Sequence, residues 1–188
     1  MATDIIEAIR RRRSIKRFTA KPVSREEITR LLDLAVLAPN HRMTEPWSFL
    51  VLGPLAKRAY GEIKGRSRAA KVEDPGAARA VLEKTVSGME AVPAMIAFVQ
   101  KVSPDAEVRE EDYAAVYMGI QNFLIGATAS GLGTHVRTGG GLDSAETRAA
   151  LGVVEGERIV ALVEVGEEGE PPREKPRTSA SERTRWLP

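Results

Sequence analysis

Cysteine is absent from the 188 residues, which excludes disulfides, thiolate metal sites and cysteine nucleophiles. Histidine is nearly absent too. With His41 and His135 alone, a histidine-built metal centre is not expected. Aromatic residues make up 5%, and none interleave with the basic run near the N-terminus, so the stacking platforms that grip single-stranded nucleic acid are missing. The chain also lacks a G-x-S-x-G elbow, an H-E-x-x-H pair, a G-x-x-x-x-G-K-[ST] loop, and a G-x-G-x-x-G after a strand. A bound cofactor that brings its own chemistry accounts for that set of absences. The opening "MATDIIEAIRRRR" has no long apolar run ending in small residues, so a secretory signal is not expected and a cytoplasmic location is.

What is present reads as one globular domain over residues 1–188: 43% apolar and 29% charged residues, enough to bury a core. Basic and acidic residues nearly cancel, 28 against 26, so total charge gives no reason to expect nucleic acid; only local clusters could. The sharpest cluster is "RRRSIKRF", where Arg11, Arg12, Arg13, Lys16 and Arg17 crowd into eight residues. Four surroundings suit it: solvent at a helix end, a nucleic-acid backbone, a membrane surface, or the phosphate of a small molecule. Nucleic acid would bring affinity that falls steeply with salt and no chromophore. Ser14, directly after Arg12 and Arg13, adds a hydroxyl to two guanidinium forks, a donor set suited to a phosphate or a ring carbonyl. Arg173, Lys175 and Arg177 form a second basic set beyond the last expected strand. A third cation, Arg137, stands beside Thr138 and three glycines, where a ligand can approach the backbone closely. Whether the three sets converge is a question of tertiary structure.

The pattern predicts an α+β domain. Residues 3–12 place Ile5, Ile6 and Ile9 on one helical face, with acids early and arginines late. Ser24 with Glu27 forms a capping box and Val23 with Ile28 a hydrophobic staple, opening a helix that runs to Pro39. "WSFLVLG" (47–53), "AMIAFVQKV" (94–102) and "RIVALVEVG" (158–166) read as buried strands, and 133–136 as a short one. Residues 55–70 and 76–91 read as helices about a breaker-rich separator expected to move. The charged "SPDAEVREED" reads as a turn, and Asp143 as the cap of a later helix. From Tyr113 to Val136 there is no formal charge, and the helix there is apolar nearly all round. Gln121, Asn122, Thr128 and Ser130 argue against a membrane span, leaving a place inside a core or across a subunit interface. The last residues, about 167–188, read as an arm that docks on something.

Taken in order, "RRRSIKRF", "PVSREEITRLLDLAVLAPNHRMTEPWSFLVL", the long helix with "QN" leading to "GLGTHVRTGG", and "VALVEVGEEGEPPREKPR" resemble the nitroreductase family of FMN-dependent oxidoreductases, especially its compact single-domain subgroup. The resemblance implies a central mixed or antiparallel sheet surrounded by helices with one long central hydrophobic helix. It also implies an intertwined homodimer with FMN at its interface and the arm docked on the partner. It puts Arg12, Arg13, Ser14 and Lys16 on FMN, with Lys16 at the pyrimidine side, supporting the ring electrostatically. The "AP…PW" motif implies Pro39 near the cofactor and His41 reaching it from the partner subunit. His41 also reads simply as a surface-loop residue, and His135 as structural. Val136, Arg137 and Thr138 match the stretch along the cofactor, and Lys175 with Arg177 the late cations on its phosphate. The implied activity passes hydride from NADH or NADPH through flavin N5 to a small electron-poor acceptor such as a nitroaromatic or quinone, in ping-pong order. No partner membrane or nucleic acid is implied. A same-fold flavoprotein acting as an oxidase, a dehydrogenase or a flavin-handling enzyme is the alternative. Met43 and Glu45 depart from the asparagine and glutamine that the family often carries before Pro-Trp.

Overall fold

The computed structural model describes residues 4–139, 141–172 and 175–188; Arg173 of the second basic set lies outside the described residues. Four strands form one antiparallel sheet: β1 (Trp47–Val51), β2 (Ala94–Lys101), β3 (Gly133–Arg137) and β4 (Glu157–Gly166), in the order β1-β2-β4-β3. Every strand pair is antiparallel, which resolves the expected mixed or antiparallel sheet to the latter.

The central pair β2 and β4 has helices on both faces, which explains why both strands are almost continuously apolar. One face of β2, with Ile96 and Phe98, packs against Ile28, Leu31, Ile120 and Phe123. Those residues come from α2 (Arg25–Ala35) and α5 (Ala106–Ala129). Met95, Ala97 and Val99 on the other face meet Tyr60 of α3 (Pro54–Ala69), Met89 of α4 (Pro75–Glu90) and Leu151 of α6 (Ala145–Leu151). On the α2 and α5 side, Phe49, Phe98 and Phe123 stack edge to face in series, with centroids 5.1 and 5.5 Å apart.

Local chemistry sets most element ends. Ser24 and Glu27 make the reciprocal capping box that opens α2, and Asp74, from the separator that was expected to move, caps α4. Three expectations are corrected. "SPDAEVREED" is largely helical: Asp105 accepts from the Val108 amide and opens α5, so the charged run forms its first turns. Ser144 caps α6, while Asp143 turns outward to accept from the Ile159 amide and ties α6 to β4. β1 is an edge strand, half-buried where a buried strand was expected, because only β2 pairs with it.

Two helices leave apolar surface uncovered within the chain. The central helix α5 buries Val116, Ile120 and Phe123 but exposes Met118, with Tyr113 also at the surface. Helix α1 (Ile5–Arg11) buries Ala8 and turns Ile5, Ile6 and Ile9 outward, all more than half exposed. No described helix is long and apolar enough to cross a membrane.

The segment after α1 is stitched to the sheet rather than left as a loop. The Ile15 amide donates to the Thr134 carbonyl at 2.8 Å, and the Gly169 amide to the Arg17 carbonyl at 2.9 Å. Ile15 is buried directly over Gly133, where an added Cβ would come within 2.6 Å of Ile15 Cγ1. Gly133→Ala is therefore expected to lower the unfolding free energy in urea by about 1–3 kcal/mol through overpacking against a stiff β-branched neighbour. Gly88→Ala, with open space around its Cβ on the exposed side of α4, is expected to raise it by up to about 1 kcal/mol.

Candidate active site

The end of α1 and the stitched segment bring the two basic clusters together. Arg12 is the C-cap of α1, and the chain leaves it extended along the outer edge of β3, with Ser14 bridging Thr134 in parallel. The residues after β4 run back alongside, paired through Phe18 and Glu168, and reinforced by Thr19 and Lys21 on the Glu167 carboxylate. Between the two stretches lies a groove of about 510 Å³. Its walls carry six cations, Arg12, Arg13, Lys16, Arg17, Lys175 and Arg177, together with Ser14. Among the described residues one carboxylate, Glu170, faces them, and it is taken up by Arg17 at 2.9 Å.

The donors in this groove are largely uncommitted. Arg13 spends its guanidinium on the carbonyls of Arg10 and Arg12, which fixes the turn. Among the described residues no hydrogen bond or ion pair ties up the side chains of Arg12, Ser14, Lys16, Lys175 or Arg177. Arg12 is half-buried, and its guanidinium is held below its ordinary pKa by burial, then by repulsion from Arg13 and Arg177. A guanidinium packed beside two others, with free donors, is in the electrostatic condition that an anion relieves. The donor set fits a phosphate group, and the volume suits a small-molecule cofactor.

The other expected site residues stand elsewhere in the single chain. Val136, Arg137 and Thr138 lie along and just beyond β3, outside the groove lining. Arg137 Nε is bonded to Glu164, and His135 Nδ1 lies 2.8 Å from the same carboxylate. Glu164 is 1% exposed among the apolar residues of the second half of β4, so these two partners account for its burial. That agrees with the structural reading of His135 and gives Arg137 a partner that sequence spacing does not reveal.

Pro39 and His41 are exposed on the far side of α2, in a tight loop where Arg42, Met43 and Glu45 all have positive φ (65°, 50° and 44°). Such a run of non-glycine residues persists only where surroundings hold it. Asn40 does so from within, accepting from the Glu45 amide at 2.7 Å, while the acidic start of α5 does so from outside. Glu111 takes His41 Nδ1 at 2.9 Å, Glu107 takes Arg42 at 3.0 Å, and buried Asp112 accepts from Thr44. A carboxylate accepts, so His41 carries its hydrogen on Nδ1 toward Glu111 and presents Nε2. Glu45 is exposed and has no salt-bridge partner among the described residues. Sequence reasoning missed Glu170, Pro171 and Pro172 as groove walls; the Pro-Pro step five residues beyond the end of β4, whose rings fix the backbone locally, was the available signal.

Three comparisons bear on this arrangement. The profile of the nitroreductase family matches residues 9–167. A Bacillus subtilis protein named "Putative NAD(P)H nitroreductase YfhC" is 31% identical over 177 residues, covering 94% of this chain and 91% of its own. Among solved structures, a nitroreductase-like family protein from Bacillus cereus superimposes with a TM-score of 0.84 at 28% identity, over 100% of this chain and 97% of that one. A nitroreductase with bound FMN from Bacteroides fragilis has the same fold, with a TM-score of 0.73 at 20% identity over 99% and 100% of the two chains.

The Glu164 network generates a stability prediction. Glu164→Leu leaves Arg137 without its partner in a mostly buried position. Because Arg137 keeps about a fifth of its side chain exposed, the expected loss in urea unfolding is about 2 kcal/mol, below the range for a fully buried broken pair.

Proposed function

Since the chain belongs to the nitroreductase family, we propose that it is an FMN-dependent oxidoreductase that takes hydride from NADH or NADPH and delivers it in ping-pong order to small electron-poor acceptors such as nitroaromatics or quinones. One observation carries the reading: a cationic groove of about 510 Å³ in which the side chains of Arg12, Lys16, Lys175 and Arg177 have no protein partners among the described residues. FMN, when bound, supplies the atom that accepts and donates hydride, so the protein needs no nucleophile of its own.

The residues then divide by task. Arg12, Arg13, Lys175 and Arg177 hold the phosphate, as point charges and forked donors, with Ser14 adding a hydroxyl. Lys16 offers a cation at the pyrimidine edge of the ring, where added negative charge gathers. Val136, Arg137 and Thr138 border the ring, Arg137 through the groups that Glu164 leaves free. Pro39 and His41 come from a second copy of the chain, with His41 oriented by Glu111.

A homodimer supports that last assignment. The outward isoleucines of α1, exposed Leu37 after α2, and Met118 of α5 form apolar surface that a second copy would cover. Trp186 and Leu187, 92% and 84% exposed, end the arm of 167–188, which docks on the partner in this reading. The whole chain of 1–188 then works as a single domain within a two-chain site.

The test is spectroscopic. Protein titrated with FMN should show flavin bands that bleach on adding NADH or NADPH without oxygen; a protein that takes up no FMN overturns the reading. Arg12→Ala and Arg177→Ala should each weaken FMN about tenfold while leaving riboflavin affinity nearly unchanged, because riboflavin lacks the phosphate. His41→Ala should slow turnover with only a small loss of stability, since its pair with Glu111 is partly exposed, and unchanged turnover removes the cross-subunit contact.

A further inference from the structure

A second cavity lies on the opposite face of the sheet from α2 and α5, between α3 and α6. It encloses about 290 Å³ and shares no lining residue with the cationic groove. Tyr60, Lys64 and Ser67 line it from α3, four and then three residues apart, a spacing that puts them on one helical stripe. Ile63 and Leu142 add apolar wall.

Tyr60 is the informative residue. It is only 3% exposed, yet among the described residues its hydroxyl makes no hydrogen bond. Among the described residues no fully enclosed side-chain polar atom lacks a partner, so the phenol oxygen is not sealed off, and the cavity is the open space that Tyr60 lines. A buried phenol whose only polar outlet is a cavity is a donor waiting for an acceptor.

The charge around it has one sign to spare. Lys64, on the cavity wall, makes no ion pair among the described residues, nor do Arg68 farther along α3 and Lys71 just beyond its end. The other local cations are neutralised: Arg66 pairs with Glu146, and Arg137 with Glu164. Burial holds the Lys64 ammonium below its ordinary pKa, with repulsion from Arg68, Arg137 and Lys71 adding to it. Burial likewise pushes the Tyr60 phenol up, against the pull of Arg137 and Arg68, so it stays a neutral donor. Favourable interaction with the C-terminal end of the α3 dipole explains cations at Arg66 and Arg68. It does not explain a phenol left open beside an ammonium.

We infer that the cleft between α3 and α6 binds a small phosphomonoester, with Tyr60, Lys64 and Ser67 on its phosphate and Ile63 and Leu142 against its organic part. The phenol, the ammonium and the hydroxyl on one helical stripe offer donors to several acceptor oxygens at once, which suits a phosphate better than a single carboxylate. The volume selects a small molecule: a dinucleotide does not fit in about 290 Å³.

The test is calorimetric titration of phenyl phosphate and of inorganic phosphate into protein already saturated with FMN, in a buffer free of phosphate, so that the groove's cations are occupied. Saturable binding of phenyl phosphate is expected, tighter than inorganic phosphate because of the apolar wall. Lys64→Gln should weaken it about tenfold and Tyr60→Phe several-fold, with FMN retention unchanged in both variants as the check that they fold. No saturable binding up to about 10 mM, or binding that both variants leave intact, overturns the site. Should the protein fail to take up FMN, the same titration is run on it as purified; the two variants still report on this cleft, since neither Lys64 nor Tyr60 lines the groove.

Discussion

Backbone hydrogen bonds along the outer edge of β3 hold like charges where they would not gather by themselves. Two guanidinium or ammonium groups about 4 Å apart repel by a few kcal/mol at the effective dielectric of a protein surface. Among the described residues the groove walls carry six such groups against one carboxylate. What opposes the repulsion is the amide of Ile15 on Thr134, the amide of Thr19 on Glu167, the amide of Gly169 on Arg17, and Ile15 buried over Gly133. Burial of one such aliphatic side chain contributes about 1.5–3 kcal/mol, and each backbone bond about 1 kcal/mol. The sheet edge therefore holds the cations in place before any ligand arrives. An anion in the groove then meets donors already positioned, so little of its binding energy is lost to ordering side chains.

The same sheet carries a second polar device in its interior. Glu164 sits in β4 among apolar neighbours, and its carboxylate draws His135 and Arg137 of β3 to the α3 and α6 side. Strand alternation separates the two functional surfaces: Thr134 and Val136 face the α2 and α5 side, His135 and Arg137 the other. The groove beside the β3 edge and the cleft between α3 and α6 share no lining residue. At the far end of α5, its acidic first turns hold the loop of His41 in a backbone conformation that non-glycine residues rarely adopt. The charged run that reads as a turn in sequence is the brace for this loop.

Much of the fold was legible because local chemistry and global packing agree. The capping box of Ser24 and Glu27, the apolar runs of β2 and β4 and the breaker at Asp74 and Pro75 each name an element without reference to anything distant. The misreadings occurred where tertiary partners decide. Asp143 looks like a cap, but the free Ile159 amide of β4 competes for it and Ser144 takes the cap. The run 47–53 is as apolar as a central strand, yet only pairing shows that β1 lies at the edge. In α1 the spacing of Ile5, Ile6 and Ile9 shows one apolar face but not its direction, and that face points away from the chain's own core.

The sequence by itself determined the class of chemistry: no cysteine or hydrolase motif, basic clusters beside a serine, and a run of motifs matching one flavin-dependent family in order. It also determined the helix caps and the two buried strands, because those signals act over a few residues. Only the tertiary structure decided that Arg12 and Arg177, 165 positions apart in the chain, line one groove, that Arg137 answers to Glu164, and that the Tyr60 phenol opens into a cleft beside Lys64. Such meetings depend on strand order and on which face each side chain takes. Strand order is set by the summed packing of the whole core, and no local stretch of sequence encodes it.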